Sequence, residues 1–166
     1  MPPDEPAQPQ SLGHPSIDHV AARLRELGAS GSVRVLPDAA RTAQQAADAL
    51  GCAVGAIANS LIFDAAGSPV LILTSGAHRV DTALAAHTIG VPALDRASAD
   101  FVRAHTGQAI GGVAPVGHPA PMPTYLDRAL AAHPVIWAAA GHAHAVFDTS
   151  YDELRTLTGA TDLDVC

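Results

Sequence analysis

Two pairs of short apolar segments, each joined by a turn-like sequence, limit most strongly how this chain can fold. Residues 57–63 and 70–73 flank the segment 64–68, which reads Asp-Ala-Ala-Gly-Ser and is typical of a hairpin turn. Residues 135–139 and 143–147 flank a second turn that contains glycine. Because helix-like segments lie between the two pairs, we predict a mixed α/β fold with helices around a mixed sheet, and not a strictly alternating parallel fold.

Six segments show the helical spacing of apolar residues, and most of them end at a glycine. The first begins at Ser16, the predicted N-cap, and ends near Gly28. The last begins at Ser150, with Glu153 three residues later in the pattern of a capping box, and ends at Gly159. The remaining predictions are helices over residues 42–50, 80–87, 99–105 and 125–132, a strand over residues 33–36, and a strand that leads into a loop over residues 108–118.

The length of 166 residues and the apolar content of 48% fit one domain with a buried core. Four of the first ten residues are proline, so we predict a disordered tail over residues 1–15 and a single domain over residues 16–166. The tail lacks the apolar stretch of a signal peptide, and no segment has the ~20 apolar residues of a membrane span. Cys52 and Cys166 do not make a disulfide framework, so we expect a cytoplasmic protein without a membrane partner.

The charge of the chain excludes several classes of protein. Nine arginines, no lysine and sixteen acidic residues give a net charge of −7. A protein that binds nucleic acid by charge alone neutralises phosphates with basic residues, so this class is excluded, while a local contact to one nucleic-acid end stays open. Without lysine, the chain cannot form a lysine Schiff base and cannot use a P-loop lysine or a lysine base.

Residues 111–118 and Asn59 are the candidates for chemistry, because the sequence holds no GxSxG, CxxC, GxGxxG, Walker or HExxH motif. Gly111 and Gly112 let a ligand approach the main chain, whose N–H groups could polarise a carbonyl as an oxyanion hole does. The same segment also fits a plain turn. Asn59 is the only asparagine and lies in an apolar strand, where a buried amide needs a partner. It either holds a ligand, or satisfies a backbone group, or points outward.

Nine histidines raise the question of a metal site. His142 and His144 are two residues apart on a predicted strand and can share one face, and His118 could join them from the loop. Asp148 could supply a supporting carboxylate. Because such pairs arise by chance in a chain rich in histidine, a metal site is the weaker alternative, and no metal or other cofactor is predicted.

The order and spacing of several segments resemble the YbaK family of aminoacyl-tRNA deacylases, which is related to the editing domain of bacterial prolyl-tRNA synthetases. The resemblance runs from about residue 16 to residue 157, and the family's fold implies a partly barrel-like sheet. The segment 41–47 resembles the helix after the family's first strand, residues 57–63 its central strand, Gly111 and Pro115 its GxxxP loop, and residues 135–147 its closing hairpin.

The resemblance implies a trans-acting enzyme that hydrolyses the ester of a mischarged tRNA, foremost a proline tRNA, that carries Ala, Cys or Ser. Water would attack the ester, and N–H groups near Gly111 and Gly112 would stabilise the oxyanion. Asn59 stands where the family has a lysine and would position the ester, and His144 aligns with the family's pocket histidine. The implied substrate-binding residues are Asn59, Ser60, Pro115, His118 and His144.

The implied partners are the acceptor end of a tRNA and an aminoacyl-tRNA synthetase, and not DNA. Two alternatives stay open. One is a module that binds an aminoacyl-tRNA or a synthetase without hydrolysis, which the neutral Asn59 favours because an amide brings no charge. The other is a metallohydrolase built on His118, His142 and His144.

Overall fold

The computed structural model describes residues 11–166, which form five α-helices, eight strands and two short 3-10 helices. The predicted tail falls mainly on residues 1–10, which lie outside the described residues. Leu12 packs against the core, and Pro15 begins the first helix. The elements are α1 (Pro15–Glu26), β1 (Val33–Val35), α2 (Ala43–Leu50), a 3-10 helix (Val54–Ala56), β2 (Ile57–Ala65), β3 (Ser68–Ser75), α3 (Thr82–Ile89), β4 (Asp95–Arg96), α4 (Ala99–Thr106), β5 (Thr124–Asp127), a 3-10 helix (Arg128–Ala132), β6 (Ile136–Ala139), β7 (Ala145–Thr149), α5 (Tyr151–Thr158) and β8 (Thr161–Leu163).

The strands form one mixed sheet in the order β1-β7-β6-β2-β3-β5-β8, and β4 pairs with β2 beside this path. Neighbouring strands are antiparallel in the pairs β2–β3, β6–β7, β1–β7 and β2–β4. They are parallel in the pairs β2–β6, β3–β5 and β5–β8. The predicted mixed α/β fold is therefore confirmed. Among the described residues, no helix is long and apolar enough to cross a membrane.

Both predicted hairpins are confirmed. The turn between β2 and β3 has two residues, Ala66 and Gly67, with φ angles of 52° and 91°. Two positive φ angles are the geometry of a type I′ turn, which matches the twist of antiparallel strands. The second hairpin joins β6 to β7 and pairs Ile136 with Thr149.

The helix ends agree with the sequence signals in part. Thr42 caps α2 by accepting a hydrogen bond from the Gln45 N–H at 3.1 Å. The predicted cap at Ser16 is wrong, because α1 begins at Pro15 and the His14 side chain accepts from the Ser16 N–H at 3.0 Å. Proline is favoured in the first turn because its φ is preset and its missing N–H needs no partner.

Of the two hydrogen bonds of the predicted capping box at α5, one forms. Ser150 accepts a hydrogen bond from the Glu153 N–H at 3.1 Å. The Glu153 carboxylate accepts from both the N–H and the hydroxyl of Ser30, at 3.1 and 2.6 Å, and from the Thr149 hydroxyl at 2.8 Å. This side chain therefore ties α5 to the loop before β1 instead of closing the box.

Two other predictions of secondary structure are wrong. Residues 125–132 are not an α-helix, because Thr124–Asp127 form β5, which lies between β3 and β8. The Asp127 carboxylate then accepts from the Ala129 N–H at 3.0 Å and caps a 3-10 helix. Residues 108–118 contain no strand. They form a loop that is held by hydrogen bonds to the side chain of Gln108.

The core lies on both faces of the sheet. Along β3, Leu71 and Leu73 belong to one buried apolar cluster, and Val70 and Ile72 belong to another. A strand that is covered on both faces is apolar at successive positions, as β3 is. The neighbouring strand β2 begins with the buried Ile57 and Ala58, but its next residue, Asn59, is exposed and borders a cavity.

Candidate active site

The candidate site lies where β2 and β6 separate. These parallel strands pair only at Ile57 with Trp137 and at Ala58 with Ala138. Among the described residues, β2 has no further partner on that side until Phe63 pairs with Arg96 of β4. A cavity of about 250 Å³ opens at this separation. Its walls are formed by Ala40, Arg41, Thr42, Ala43, Ala46, Ile57, Ala58, Asn59, Ser60, Leu61, Ile110, Gly111, Val113, Trp137, Ala138, Ala139, His142, Ala143, Ala145 and Val146.

The walls of the cavity are mostly small and apolar, and alanine is the commonest residue. Ligand sites usually have volumes of about 300–1,000 Å³, so this cavity suits a small group and not a whole nucleotide. Among its walls, which all belong to residues 11–166, no side chain carries a carboxylate. Arg41 and His142 are the wall residues that can carry positive charge.

Asn59 lies on the wall of the cavity and is exposed, which leaves its amide open to solvent or to a ligand. Within residues 11–166 its side chain makes no hydrogen bond to protein. The adjacent Ser60 differs from it, because its hydroxyl oxygen is buried and finds no partner among the described residues. An unpartnered buried hydroxyl costs about 1–3 kcal/mol.

The glycine-rich loop supplies the opposite wall through Gly111 and Val113. The N–H of Gly112 is already engaged, because it donates to the Ala109 carbonyl at 3.2 Å. Within residues 11–166, the N–H groups of Gly111 and Val113 have no acceptor. The unpaired N–H groups at the cavity wall therefore belong to Gly111 and Val113, whereas the resemblance pointed to Gly111 and Gly112.

The loop is held in place by a buried side chain that the sequence did not reveal as important. Gln108 is 2% exposed. Its amide oxygen accepts from the Ala114 N–H at 2.7 Å, and its amide nitrogen donates to the Val116 carbonyl at 3.2 Å. Gly112 fits against the backbone of the β6–β7 hairpin, where a Cβ atom would lie 2.6 Å from the Cα of His142. These contacts fix the loop against the second hairpin.

The structure does not bring Pro115 and His118 to the cavity wall. Pro115 is buried in the loop. The His118 Nε2 lies 2.8 Å from the Ala114 carbonyl, and burial lowers the pKa of its imidazole. Both residues therefore stabilise the loop itself. Their predicted substrate-binding roles stay predictions.

Three imidazole rings pack against one another beside the cavity. The ring centroids of His142 and His14 are 4.7 Å apart, and those of His142 and His144 are 5.2 Å apart. His142 forms part of the wall, and His144 stands behind it, with its Nδ1 3.3 Å from the Leu36 carbonyl. Burial, followed by the charges of His14, His144 and Arg41, lowers the pKa of His142. The residue at the wall is thus His142, not the predicted His144.

The proposed metal ligands do not form a site. Within residues 11–166, no three or more side chains of His, Cys, Asp or Glu are grouped so that they could hold a metal ion. His142 and His144 share one stack, while His118 is engaged with the Ala114 carbonyl. Asp148 accepts a hydrogen bond from the Ser32 N–H at 3.0 Å.

Comparison with known proteins gives the class of this fold and site. The sequence model of the aminoacyl-tRNA editing domain matches residues 37–157, and the chain belongs to this family. The matched range includes every residue that forms the wall of the cavity.

Individual proteins match over nearly the whole chain. A solved structure described as a candidate trans-editing enzyme for prolyl-tRNA synthetase is 42% identical and superposes with a TM-score of 0.86, covering 92% of this chain and 97% of the other. The hypothetical protein APE2540 is 29% identical with a TM-score of 0.80, over 89% and 98% of the two chains. The uncharacterized protein YwhH of Bacillus subtilis (strain 168) is 28% identical over 153 residues, which is 91% of this chain and 97% of YwhH.

Proposed function

We propose that this protein is a trans-acting deacylase that hydrolyses the ester between a small amino acid and the 3′ end of a mischarged tRNA. Membership of the editing-domain family supports the reaction class, and the similar trans-editing structure supports a proline tRNA as substrate. The observation that carries the proposal is the small cavity, whose walls combine the exposed Asn59 with unpaired N–H groups of the glycine-rich loop. The protein would act in the cytoplasm and would have a prolyl-tRNA synthetase as a partner.

The nucleophile in this proposal is water. The wall contains two hydroxyl groups, and that of Thr42 already accepts the capping hydrogen bond from Gln45. The Ser60 hydroxyl has no base within hydrogen-bond distance in residues 11–166. Water adds to the ester carbonyl and loses a proton. The bond to the ribose oxygen then breaks, and this oxygen takes up a proton, which leaves a free amino acid and an uncharged tRNA.

Transition-state stabilisation would come from the main chain. Negative charge develops on the carbonyl oxygen during attack, and the N–H groups of Gly111 and Val113 would donate to it. Such donors are effective because the fold holds them in place before the reaction, here through Gln108. Asn59 would orient the ester from the side of β2, and Ser60, the next residue of the same wall, would contact the substrate.

Selection of the amino acid would follow from size. The walls near β6 and β7 contain four alanines and Val146, together with two larger side chains, Trp137 and His142. One added methylene changes binding by about 1–3 kcal/mol, so the cavity favours Ala, Cys or Ser over larger residues. His142 would act as the wall in contact with the substrate, and His144 would support it by stacking.

A deacylation assay on a panel of mischarged tRNAs tests this proposal. We expect hydrolysis of Ala-, Cys- or Ser-charged proline tRNA, and no change in rate when a chelator is added. A loss of activity on chelation that zinc restores would overturn the water mechanism in favour of a metallohydrolase. Tight binding of the same tRNAs without hydrolysis would instead identify a binding module, the alternative favoured by the absence of charge on Asn59.

A further inference from the structure

One cation at the cavity lacks a counter-ion in a chain with a net charge of −7. Arg41 forms part of the wall, and none of the ion pairs among residues 11–166 includes it. Its guanidinium makes no hydrogen bond within the same residues. By comparison, the guanidinium of Arg34 lies over the Trp137 ring at 5.1 Å. Arg41 is thus an arginine whose charge is available at the cavity.

The backbone of Arg41 is fixed even though its side chain is free. Its N–H donates to the Gln45 side chain at 2.9 Å, and the next residue, Thr42, caps α2. The charge of Arg41 also contributes to the lowered pKa of His142, so the two side chains act on the same region of the site. Because that pKa is lowered, His142 favours its neutral form, and Arg41 supplies the positive charge at neutral pH.

The chemistry of an aminoacyl ester restricts what such a charge can bind. The ester is neutral and the α-amino group is neutral or cationic, so neither offers a negative charge to pair with a guanidinium. The phosphate of the terminal nucleotide is the anionic group nearest to the ester, and arginine binds phosphate through two parallel N–H bonds. We propose that Arg41 binds the phosphate of the 3′-terminal nucleotide while the aminoacyl group occupies the cavity beside Asn59 and Gly111.

This inference rests on the proposed function, because it takes an aminoacyl nucleotide as the ligand. It gives Arg41 a role in binding and register, not in the reaction itself. A phosphate held by Arg41 at the wall would fix where the ester enters the cavity, and holding reacting groups in register accelerates a reaction. An acidic protein can in this way bind one nucleic-acid end without an extended basic surface.

Equilibrium binding tests the site without relying on hydrolysis. The probes are 3′-alanylamido-3′-deoxyadenosine, which cannot be hydrolysed at the ester position, with and without a 5′-phosphate. We expect wild-type protein to bind the phosphorylated compound about tenfold more tightly. Arg41→Gln should reduce this ratio to about twofold or less, and Arg41→Lys should retain part of it.

Arg103→Gln is the matched control, because this exposed arginine lies on α4, away from the cavity wall, and its loss changes the net charge equally. The control should keep the full ratio. Equal binding of the two compounds by wild-type protein, or an unchanged ratio in Arg41→Gln, would overturn the assignment. Competition by inorganic phosphate as strong as that by the phosphorylated compound would also overturn it, because the site would then bind free phosphate.

The same measurements separate this inference from the proposed function. If the phosphate improves binding through Arg41 but no mischarged tRNA is hydrolysed, the deacylase proposal fails and the phosphate site stands. If mischarged tRNA is hydrolysed but the 5′-phosphate and Arg41 make no difference, the phosphate site fails and the deacylase stands.

Discussion

Asn59 is exposed and neutral, and it lies at the point of β2 where the pairing with β6 has ended. Its side chain makes no hydrogen bond within residues 11–166, so it contributes little to folding. The mutation Asn59→Ala should therefore leave the free energy of unfolding within about 0.5 kcal/mol of wild type. It should lower kcat/KM for deacylation by about tenfold, the loss of one hydrogen bond to the substrate.

Urea denaturation and steady-state kinetics on the same preparations check both expectations. Unchanged kinetics at equal stability would place Asn59 outside the site. A large loss of stability would show instead that the amide has a structural partner.

Gly111 and Gly112 allow a matched comparison within the loop. A Cβ atom at Gly111 meets open space, and only its φ of 94° disfavours a side chain, at a cost of about 1–2 kcal/mol. A Cβ atom at Gly112 would lie 2.6 Å from the backbone of His142. We expect Gly112→Ala to be the more destabilising change, because the loop must move away from the hairpin.

In activity, Gly111→Ala should lower turnover by about a hundredfold if a donor to the oxyanion is displaced. Thermal denaturation gives the stabilities, and single-turnover deacylation gives the rates. If folded Gly111→Ala protein had the wild-type turnover, the loop would be a turn without a role in catalysis. Equal stability of the two variants would contradict the packing of Gly112.

At the scale of elements, α5 is tied to the start of the sheet by Glu153, which accepts three hydrogen bonds from Ser30 and Thr149. Removing this carboxylate leaves these donors without their partner. Glu153→Ala should therefore lower the free energy of unfolding by about 1–2 kcal/mol. Asp152→Ala is the control, because its side chain is 89% exposed and the change should be within about 0.5 kcal/mol. Chemical denaturation measures both, and equal effects would show that the tie contributes no stability.

The elements that could be predicted from sequence are those whose signals are local. The turn at Ala66 and Gly67 and the caps at Thr42 and Ser150 act within a few residues, so these hairpins and helices could be recognised. The short strands β4 and β8 could not, because their few residues are mostly polar and lack the apolar, β-branched character that marks β1. The strand β5 replaces the predicted helix because its pairing with β3 overrides local propensity.

The same difference applies to the site. Residue type or the family resemblance indicates Asn59, Ser60 and Gly111 as site residues, and all three lie on the wall of the cavity. Arg41 and His142 were not assigned to the pocket, because their place depends on how α2 and the second hairpin meet β2. The role of Gln108 depends on its burial under the loop, which sequence spacing does not show.

At the scale of the whole molecule, the imidazoles make stability depend on pH. Burial lowers the pKa of His118, and burial together with neighbouring charges lowers that of His142. Both favour the neutral form in the folded protein, while the unfolded chain titrates near pH 6.5. The unfolded state therefore takes up protons first as the pH falls. Stability should be highest above about pH 6.5 and should decrease as the pH drops below it.

Thermal denaturation between about pH 7.5 and about pH 5.5 measures this dependence. In His118→Gln the decrease in Tm across this window should be smaller than in wild type. His87 is exposed on α3, so the control His87→Gln should retain the full decrease in Tm. A Tm of wild-type protein that stays constant across the window would contradict the expectation.

The opening between β2 and β6 also has a consequence for how such a chain can evolve. Ala40, Ala139 and Ala143 form part of the cavity wall but are only half-buried, so larger side chains there can narrow the cavity without repacking the core. Substitutions that change the size of the cavity are then separate from substitutions that change the stability of the fold. In the proposed function, single substitutions at these alanines would change which amino acid fits the cavity, while the eight-stranded sheet would stay the same.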